Sequence, residues 1–256
     1  MKTVLITGCS SGFGLETARY FLEQGWNVVA TMRTPQADLL PASDKLRILP
    51  LDVTNAESIH EVVQAAGPID VLVNNAGIGV LGAFEATPMQ TVRDVFDTNT
   101  FGLMALTQAL LPQFRARRAG VIVNVTSAVT FKPFVLLAAY TASKAAVEAF
   151  TECLALEVQG FGVRTCVVQP GLGPGTKFGE NARPRMDGLI PEEYASIAEE
   201  VFAGMKASAA VTHPIDVAKA VWRAATDVSS PLFMPAGEDS VALAAQVAAP
   251  PVFRHA

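Results

Sequence analysis

The sequence predicts an α/β fold in which a doubly wound parallel sheet carries helices on both faces. Short, apolar, β-branched runs alternate with helical patterns along most of the chain. A glycine-rich turn joins the first run to the first helix. Residues 121–125 form a nearly continuous β-branched run, which is typical of a central strand buried on both faces. No linker, repeat or low-complexity block divides residues 1–256, so we expect a single domain.

Composition narrows the classes of protein and of site. Half of the residues are hydrophobic and 17% are charged, but no run approaches the ~20 apolar residues of a membrane-spanning helix. The short apolar start leads at once into a glycine turn, so we expect no export signal. A net charge of −5, with one small basic run at residues 115–118, argues against a nucleic-acid-binding face.

Cysteine and histidine usage predicts a reducing compartment and no metal site. The three cysteines, Cys9, Cys153 and Cys166, are widely spaced, which does not suit a disulfide framework. The three histidines are far apart and lack the ligand spacing of a structural zinc site. We therefore expect a cytoplasmic protein.

The first βα unit carries a glycine pattern suited to a phosphate. Residues 2–7 predict a strand and residues 15–22 a helix. The turn between them has the form G-x-x-x-G-x-G and consists of Gly8, Cys9, Ser10, Ser11, Gly12, Phe13 and Gly14. Glycine permits a tight turn, and backbone N–H groups at a helix start attract a pyrophosphate. The alternative is a tight connection that binds nothing.

The second strand, predicted at residues 26–31, ends where cofactor preference is decided. Dinucleotide-binding units often place an acidic residue about 20 residues beyond the glycine turn, where it binds the ribose hydroxyls. Met32 stands at that place and Arg33 follows it. A guanidinium suits a ribose 2′-phosphate, which favours NADP(H) over NAD(H). The alternative for Arg33 is an ordinary exposed charge.

Two further βα repeats follow. Residues 46–49 predict a strand that leads to Asp52, and residues 55–66 predict a helix. Residues 69–73 then predict another strand.

Two segments after that strand contain amide side chains at notable positions. Asn75, Ala76 and Gly77 are small or amide-bearing residues that let backbone lie close to a ligand, although a well-capped turn is the alternative. Residues 88–111 predict one long helix. Asn99 lies in its interior, where asparagine is an indifferent helix former, so this position needs a separate explanation.

A tyrosine and a lysine on one predicted helix could form an acid/base pair. Ser127 follows the strand at residues 121–125, at the sheet edge where parallel folds bind ligands. Tyr140 and Lys144 begin the helix predicted through residues 142–158 and share one face. At about 4 Å and an effective dielectric of about 20, their attraction is on the order of 4 kcal/mol and would lower the tyrosine pKa. The alternative is a chance surface pair.

The C-terminal part predicts a binding loop and the last elements of the sheet. Residues 163–168 predict a strand that ends at Pro170 and Gly171. Residues 172–190 have no clear period and are long enough for a lid over a substrate. Two helices, a strand and an apolar tail are predicted at residues 191–205, 214–226, 232–234 and 241–256.

Taken together, the motifs resemble the classical short-chain dehydrogenase/reductase family over nearly the whole chain. Four segments agree with its cofactor-binding and structural motifs in order and spacing: residues 7–14, 52–53, 74–77 and 170–171. Its catalytic tetrad is matched residue by residue by Asn99, Ser127, Tyr140 and Lys144. Residues 9–11 and 30–33 look most like the hydroxysteroid and retinol dehydrogenase branch.

The resemblance implies a Rossmann fold and hydride transfer between NADP(H) and the carbonyl or secondary alcohol of a small, apolar substrate. Tyr140 would exchange the proton and Ser127 would hold the substrate oxygen. Lys144 would lower the tyrosine pKa and bind the cofactor ribose, while Asn99 would hold a relay water. Family habit implies a homodimer or homotetramer. Cofactor contacts are expected from Gly8, Ser10, Ser11, Gly12, Phe13, Gly14, Arg33, Asp52, Asn75, Ala76, Gly77, Tyr140, Lys144, Pro170, Gly171 and Thr176.

One departure and one alternative remain. Many relatives have a carboxamide-binding threonine where Gly175 stands here, so we expect a one-residue insertion that gives this role to Thr176. The alternative function is a sensor or scaffold that binds NADP(H) without turnover. Such proteins commonly lose the tyrosine or the lysine, whereas this chain keeps both.

Overall fold

Seven strands form one parallel sheet in the order β3-β2-β1-β4-β5-β6-β7. The computed structural model describes residues 1–248. The strands are β1 Thr3–Ile6, β2 Asn27–Met32, β3 Leu46–Pro50, β4 Val71–Asn74, β5 Gly120–Val125, β6 Val163–Pro170 and β7 Phe233–Ala236. Because the chain turns back past β1 after β3, the strand order reverses between β1 and β4. Ligands of open parallel sheets bind at such a point.

Helices cover both faces of this sheet and enclose two hydrophobic cores. The helices are α1 Gly12–Glu23, α2 Ala56–Ala66, α3 Met89–Phe96, α4 Gly102–Arg117, α5 Ala138–Val158, α6 Phe178–Ala182, α7 Ala195–Ala207, α8 Pro214–Thr226 and α9 Glu238–Ala248. Side chains alternate along β1, so Val4 and Ile6 enter the core beneath α1 and α8. Leu5 enters the core beneath α2, α4 and α5. The predicted doubly wound sheet is confirmed.

The prediction of one long helix at residues 88–111 is wrong in one respect. A π-helical turn at Asp97–Phe101 separates α3 from α4. Asn99 lies in this turn and is fully buried. Turns of this kind are frequent at functional sites. The π-helical turn therefore accounts for an asparagine at this position, which helix propensity alone did not explain.

Two C-terminal predictions also need correction. Residues 172–190 are not wholly irregular, since they contain α6 and a 3-10 turn at Arg183–Arg185. The apolar tail predicted at residues 241–256 is helical where it is described, because α9 continues through Ala248. The rest of that predicted tail lies outside the described residues. Within residues 1–248, no helix is long and apolar enough to cross a membrane.

Candidate active site

A large cleft opens at the carboxyl edge of the sheet, where the strand order reverses. Its volume is about 1940 Å³, whereas pockets for drug-sized ligands have about 300–1,000 Å³. All but two of the residues expected in the catalytic tetrad or at the cofactor line this cleft. Gly14 and Asn99 are the exceptions, and both lie behind its wall. The cleft therefore has room for a dinucleotide together with a substrate.

The glycine turn has the geometry that a phosphate cradle requires. Gly8 and Gly12 have φ angles of +73° and +58°, which side-chain-bearing residues rarely adopt. A Cβ at Gly14 would overlap the Gly8 carbonyl oxygen. Within the described part of the chain, Ser11 at the start of α1 makes no side-chain capping hydrogen bond. The Ser11 side chain thus leaves the backbone N–H groups at the N-terminus of α1 uncapped. These groups lie beside the cleft and suit the pyrophosphate of a dinucleotide.

The asparagine motif after β4 braces this turn. The Thr7 hydroxyl accepts hydrogen bonds from the backbone N–H groups of Asn75 and Ala76, both at 2.9 Å. The Asn75 side-chain amide donates to the Thr7 carbonyl at 2.9 Å. A Cβ at Gly8 would lie 2.9 Å from the Cα of Ala76, so the two loops are in direct contact. The motif fixes the position of the phosphate cradle relative to β4.

Ser127, Tyr140 and Lys144 converge on the floor of the cleft, and all three are buried. Ser127 follows β5, and the other two lie on the first turns of α5. The Lys144 ammonium donates to the Val125 carbonyl at 3.0 Å. Its nitrogen lies 5.9 Å from the centre of the Tyr140 ring. The chance surface pair is therefore wrong, because neither side chain is at the surface.

Burial, rather than the Tyr140–Lys144 attraction, dominates the protonation of this pair. Burial raises the pKa of Tyr140 to about 12, and the neighbouring Ser127 hydroxyl lowers it only in part. Burial also lowers the pKa of Lys144 to about 8, while the Glu148 carboxylate acts in the opposite direction. The predicted lowering of the tyrosine pKa is thus wrong for the protein without ligand. At neutral pH Tyr140 is a phenol and can donate a proton.

The Asn99 side chain forms hydrogen bonds with residues that surround Lys144. Its side-chain oxygen accepts from the Ile78 backbone N–H at 2.8 Å, and its amide donates to the Ile78 carbonyl at 2.9 Å. The same amide donates to the Ser143 hydroxyl at 3.1 Å. A Cβ at Gly77 would lie 3.2 Å from the Asn99 oxygen and 3.4 Å from the Lys144 nitrogen. The side chain is therefore committed to protein partners, and the relay water stays a prediction.

The turn after β6 is held by two residues that sequence reasoning missed. The Thr212 hydroxyl accepts from the Gly171 backbone N–H at 2.8 Å, and the Asp239 carboxylate accepts from the Leu172 N–H at 2.5 Å. Thr212 also donates to Asp239 at 2.6 Å. Neither residue belongs to a recognisable motif, because each lies more than forty positions further along the chain. Only the folded chain brings them to Gly171.

Thr176 lies against the glycine turn. A Cβ at Gly12 would be 3.0 Å from the Thr176 Cβ. The Thr176 hydroxyl donates to the Gly173 carbonyl at 2.8 Å. Thr176 is thus placed over the phosphate cradle, and its proposed contact with a carboxamide stays a prediction.

Two guanidinium groups stand at the outer part of the cleft. Met32 is buried, whereas Arg33 is exposed and lines the cleft together with Asp52. Arg185, which sequence reasoning missed, donates to the Gly79 carbonyl at 3.2 Å. Burial lowers the pKa of Arg185, and the positive charge of nearby Arg33 lowers it further. The two arginines place positive charge in this part of the cleft, and the Asp94 carboxylate acts on the pKa of Arg185 in the opposite direction.

The short helix α6 lies over the catalytic floor. The Phe178 ring centre is 5.8 Å from that of Tyr140. A Cβ at Gly79 would lie 2.7 Å from the Phe178 ring, so this glycine leaves space for the aromatic side chain. The predicted lid segment therefore meets the predicted acid/base group.

The residues described hold no cluster suited to a metal. Within residues 1–248, no group of three or more histidine, cysteine, aspartate or glutamate side chains lies together in a geometry that could hold an ion. The cysteines at positions 9, 153 and 166 are free thiols, and Cys9 and Cys166 are buried. The expectation that the chain binds no metal stays a prediction.

A family model and several curated proteins match this chain by sequence. A family model described as short chain dehydrogenase matches residues 2–187. A 3-ketodihydrosphingosine reductase from Bacteroides thetaiotaomicron is 41% identical over 174 residues, which cover 66% of this chain and 63% of that protein. Retinol dehydrogenase 8 from Bos taurus is 40% identical over 182 residues, 66% of this chain and 58% of that protein. The match thus spans less than two thirds of either relative.

Solved structures share the fold across nearly the whole chain. A short-chain dehydrogenase from Streptomyces avermitilis has a TM-score of 0.82 and 33% identity, covering 96% of this chain and 92% of that one. A serine dehydrogenase complexed with NADP⁺ has a TM-score of 0.75 and 30% identity over 91% and 93% of the two chains. A 3-ketoacyl-(acyl-carrier-protein) reductase from Brucella melitensis, complexed with NADH, has a TM-score of 0.76 and 25% identity over 91% and 96%. On the family model, the relatives and the shared fold, the chain belongs to the short-chain dehydrogenase family.

Proposed function

We propose that this protein transfers a hydride between NADP(H) and the carbonyl or secondary alcohol of a small, apolar substrate. One observation carries the proposal. Ser127, Tyr140 and Lys144 are buried together on the floor of a cleft whose rim is a phosphate-cradling glycine turn. The bound cofactor would supply or accept the hydride, and the protein would supply geometry and electrostatics.

The buried hydroxyls define the proton path. In carbonyl reduction Tyr140 donates its phenolic proton to the substrate oxygen, and Ser127 orients that oxygen by hydrogen bonding. Lys144, with a pKa of about 8, is mostly an ammonium at neutral pH and stabilises the phenolate left behind. Its position beside Gly77 also suits a contact with the cofactor ribose.

The cofactor preference rests on charge at the end of β2. A carboxylate there would repel a 2′-phosphate, but Met32 is neutral. Arg33 and Arg185 place positive charge on the same side of the cleft. Structural neighbours are complexed with NADP⁺ in one case and NADH in another, so the two arginines are the support for proposing NADP(H).

The substrate class rests on apolar side chains that line the cleft. They include Phe134, Phe178, Met186, Phe202 and Met205, and the Phe178 ring centre lies 5.8 Å from that of Tyr140. Such a surface removes water from an apolar substrate and contributes about 25 cal/mol for each Å² buried. The retinol dehydrogenase and 3-ketodihydrosphingosine reductase relatives support this choice.

The assembly and setting are also proposals. The support for the assembly is the family habit of homodimers and homotetramers, and two large apolar side chains, Leu156 on α5 and Phe101 beside α4, are 70% and 56% exposed. We propose a cytoplasmic homodimer or homotetramer of single-domain subunits. Light scattering coupled to size-exclusion chromatography measures the mass of the assembly directly.

Two parallel measurements test the function. NADPH oxidation is followed against a panel of ketones and aldehydes, and NADPH binding is followed by fluorescence. We expect saturable binding together with turnover of an apolar carbonyl. Binding without turnover across the panel would instead support the sensor or scaffold.

A further inference from the structure

A partly buried polar cluster lies one helical turn behind Lys144. At its centre one carboxylate oxygen of Glu148 accepts three hydrogen bonds. The Thr126 and Thr130 hydroxyls donate to it, each at 2.8 Å, and Thr130 shares its proton with the Ser127 carbonyl, also at 2.8 Å. The Gln169 side-chain amide donates to the same oxygen at 2.9 Å. Hydrogen bonds to a charged acceptor are stronger than those between neutral groups, so this cluster is a strong local tether.

The three donors come from the segments that carry the candidate site. Thr126 immediately precedes Ser127, and Thr130 ends the turn that Ser127 begins. Gln169 immediately precedes Pro170 at the end of β6. Glu148 therefore connects α5, which carries Tyr140, to the two segments that face it across the cleft floor. Displacement of this carboxylate would loosen both segments together.

Glu148 also carries a charge that acts on the acid/base pair. Tyr140, Lys144 and Glu148 follow one another at intervals of four residues on α5 and share one face. The Glu148 carboxylate favours the charged form of Lys144, against the effect of burial. The cluster therefore acts on the charge of Lys144 as well as connecting the neighbouring segments.

No other acidic group takes this place among the described residues packed on α5. This helix packs against β6, α3, the π-helical turn and the turn after Ser127. The titratable side chains on those elements are Arg93, Asp94, Asp97, Arg164 and Cys166. The first three are exposed, and Arg164 donates to carbonyls at the end of α8. β5, whose Val125 carbonyl accepts from Lys144, carries no titratable side chain.

We propose that Glu148 is a positioning residue, which holds the Ser127 and Pro170 segments against α5 and maintains Lys144 as an ammonium during carbonyl reduction. This inference rests on the proposed function. It adds a fifth polar residue to the expected tetrad and gives it two separable roles. The tether depends on an acceptor oxygen, and the electrostatic role depends on the negative charge.

The change Glu148→Gln separates the two roles, because an amide keeps an acceptor oxygen but has no charge. The readout is the pH profile of kcat for NADPH-dependent carbonyl reduction. We expect the wild-type rate to fall as pH rises through the Lys144 pKa of about 8. In Glu148→Gln this alkaline limb should move to lower pH by about half a unit or more, since an opposite charge has been removed.

Two matched variants complete the design. Thr130→Val removes one donor but keeps the carboxylate, so kcat should fall about 3- to 10-fold, the equivalent of one hydrogen bond, without moving the limb. Glu152→Gln removes an exposed charge one turn further along the same helix and should leave the profile unchanged. If Glu148→Gln does not fold, Glu148→Asp takes its place. This variant keeps the negative charge but shortens the side chain that forms the tether. We expect it to lower kcat and to leave the alkaline limb of the pH profile unmoved.

The outcomes separate this inference from the proposed function. An unmoved limb in folded Glu148→Gln overturns the electrostatic role, and unchanged kcat in Thr130→Val overturns the tether. In the substitute variant, a moved limb or an unchanged kcat overturns the proposal. Each variant is assayed beside Tyr140→Phe, whose loss of turnover reports on the proposed function alone.

Discussion

The two walls of the cleft are built differently. The wall formed by β1, β4 and the glycine turn is fixed by backbone and side-chain hydrogen bonds, including those of Thr7 to Asn75 and Ala76. The opposite wall, formed by α6 and the following turn, contacts Tyr140 on the floor through Phe178 and contacts the Gly79 carbonyl through Arg185. Phe178 remains 40% exposed. The wall that we propose for the cofactor is therefore held by hydrogen bonds, whereas the wall that we propose for the substrate has fewer such constraints.

The largest expected effect lies on the floor shared by both walls. Tyr140→Phe removes the phenolic proton but keeps the ring that packs on Phe178. We expect turnover to fall by at least ~100-fold, the lower range for loss of a positioned acid/base group, with NADPH affinity nearly unchanged. Wild-type turnover in this variant on a confirmed substrate would refute the mechanism.

The next effect concerns charge at the rim of the wall that we propose for the cofactor. Met32→Asp with Arg33→Ile introduces the carboxylate and removes the guanidinium, so the preference should pass from NADPH to NADH. One charge-assisted contact of about 1.5–3 kcal/mol corresponds to roughly 10- to 150-fold in binding. Dissociation constants for both cofactors at one ionic strength measure it. Equal wild-type affinity for NADPH and NADH would mean that Arg33 makes no phosphate contact.

A glycine pair compares the rigidity of the two walls directly. A Cβ at Gly14 would overlap the Gly8 carbonyl, whereas a Cβ at Gly179 in α6 meets nothing within 4 Å. Gly14→Ala should therefore lower the free energy of unfolding by about 1–3 kcal/mol, as overpacking does, and weaken NADPH binding. Gly179→Ala is the matched control and should change neither quantity much. Denaturant unfolding and NADPH titration report both, and equal stability of the two variants would contradict the contrast between the walls.

The smallest effect is a change in protection without a change in stability. Amide hydrogen exchange in residues 172–190 should be fast in the free protein and slow in the ternary complex, because lid closure would exclude water from the hydride path. Exchange around Gly8 should be slow in both states. Similar protection of residues 172–190 with and without ligands would show that this wall does not move.

Sequence reasoning succeeded where local signals determine structure. The predicted helix at residues 214–226 coincides with α8, Pro214–Thr226, because proline and periodicity mark its bounds. It failed where distant contacts decide. The π-helical turn depends on Asn99 pairing with Ile78, and the pKa of Tyr140 depends on burial in the folded protein. The segment that contains α6 has no clear sequence period, and its Phe178 side chain packs on Gly79 and Tyr140 from distant parts of the chain.

Label transfer tests the central claim most directly. Wild-type protein is incubated with NADPH deuterated at the transferable C4 position and with an apolar carbonyl, and the product is analysed by mass spectrometry. We predict an alcohol that carries one deuterium at the former carbonyl carbon, and much less of it from Tyr140→Phe. Saturable NADPH binding with no deuterium in any alcohol across the carbonyl panel would contradict the account.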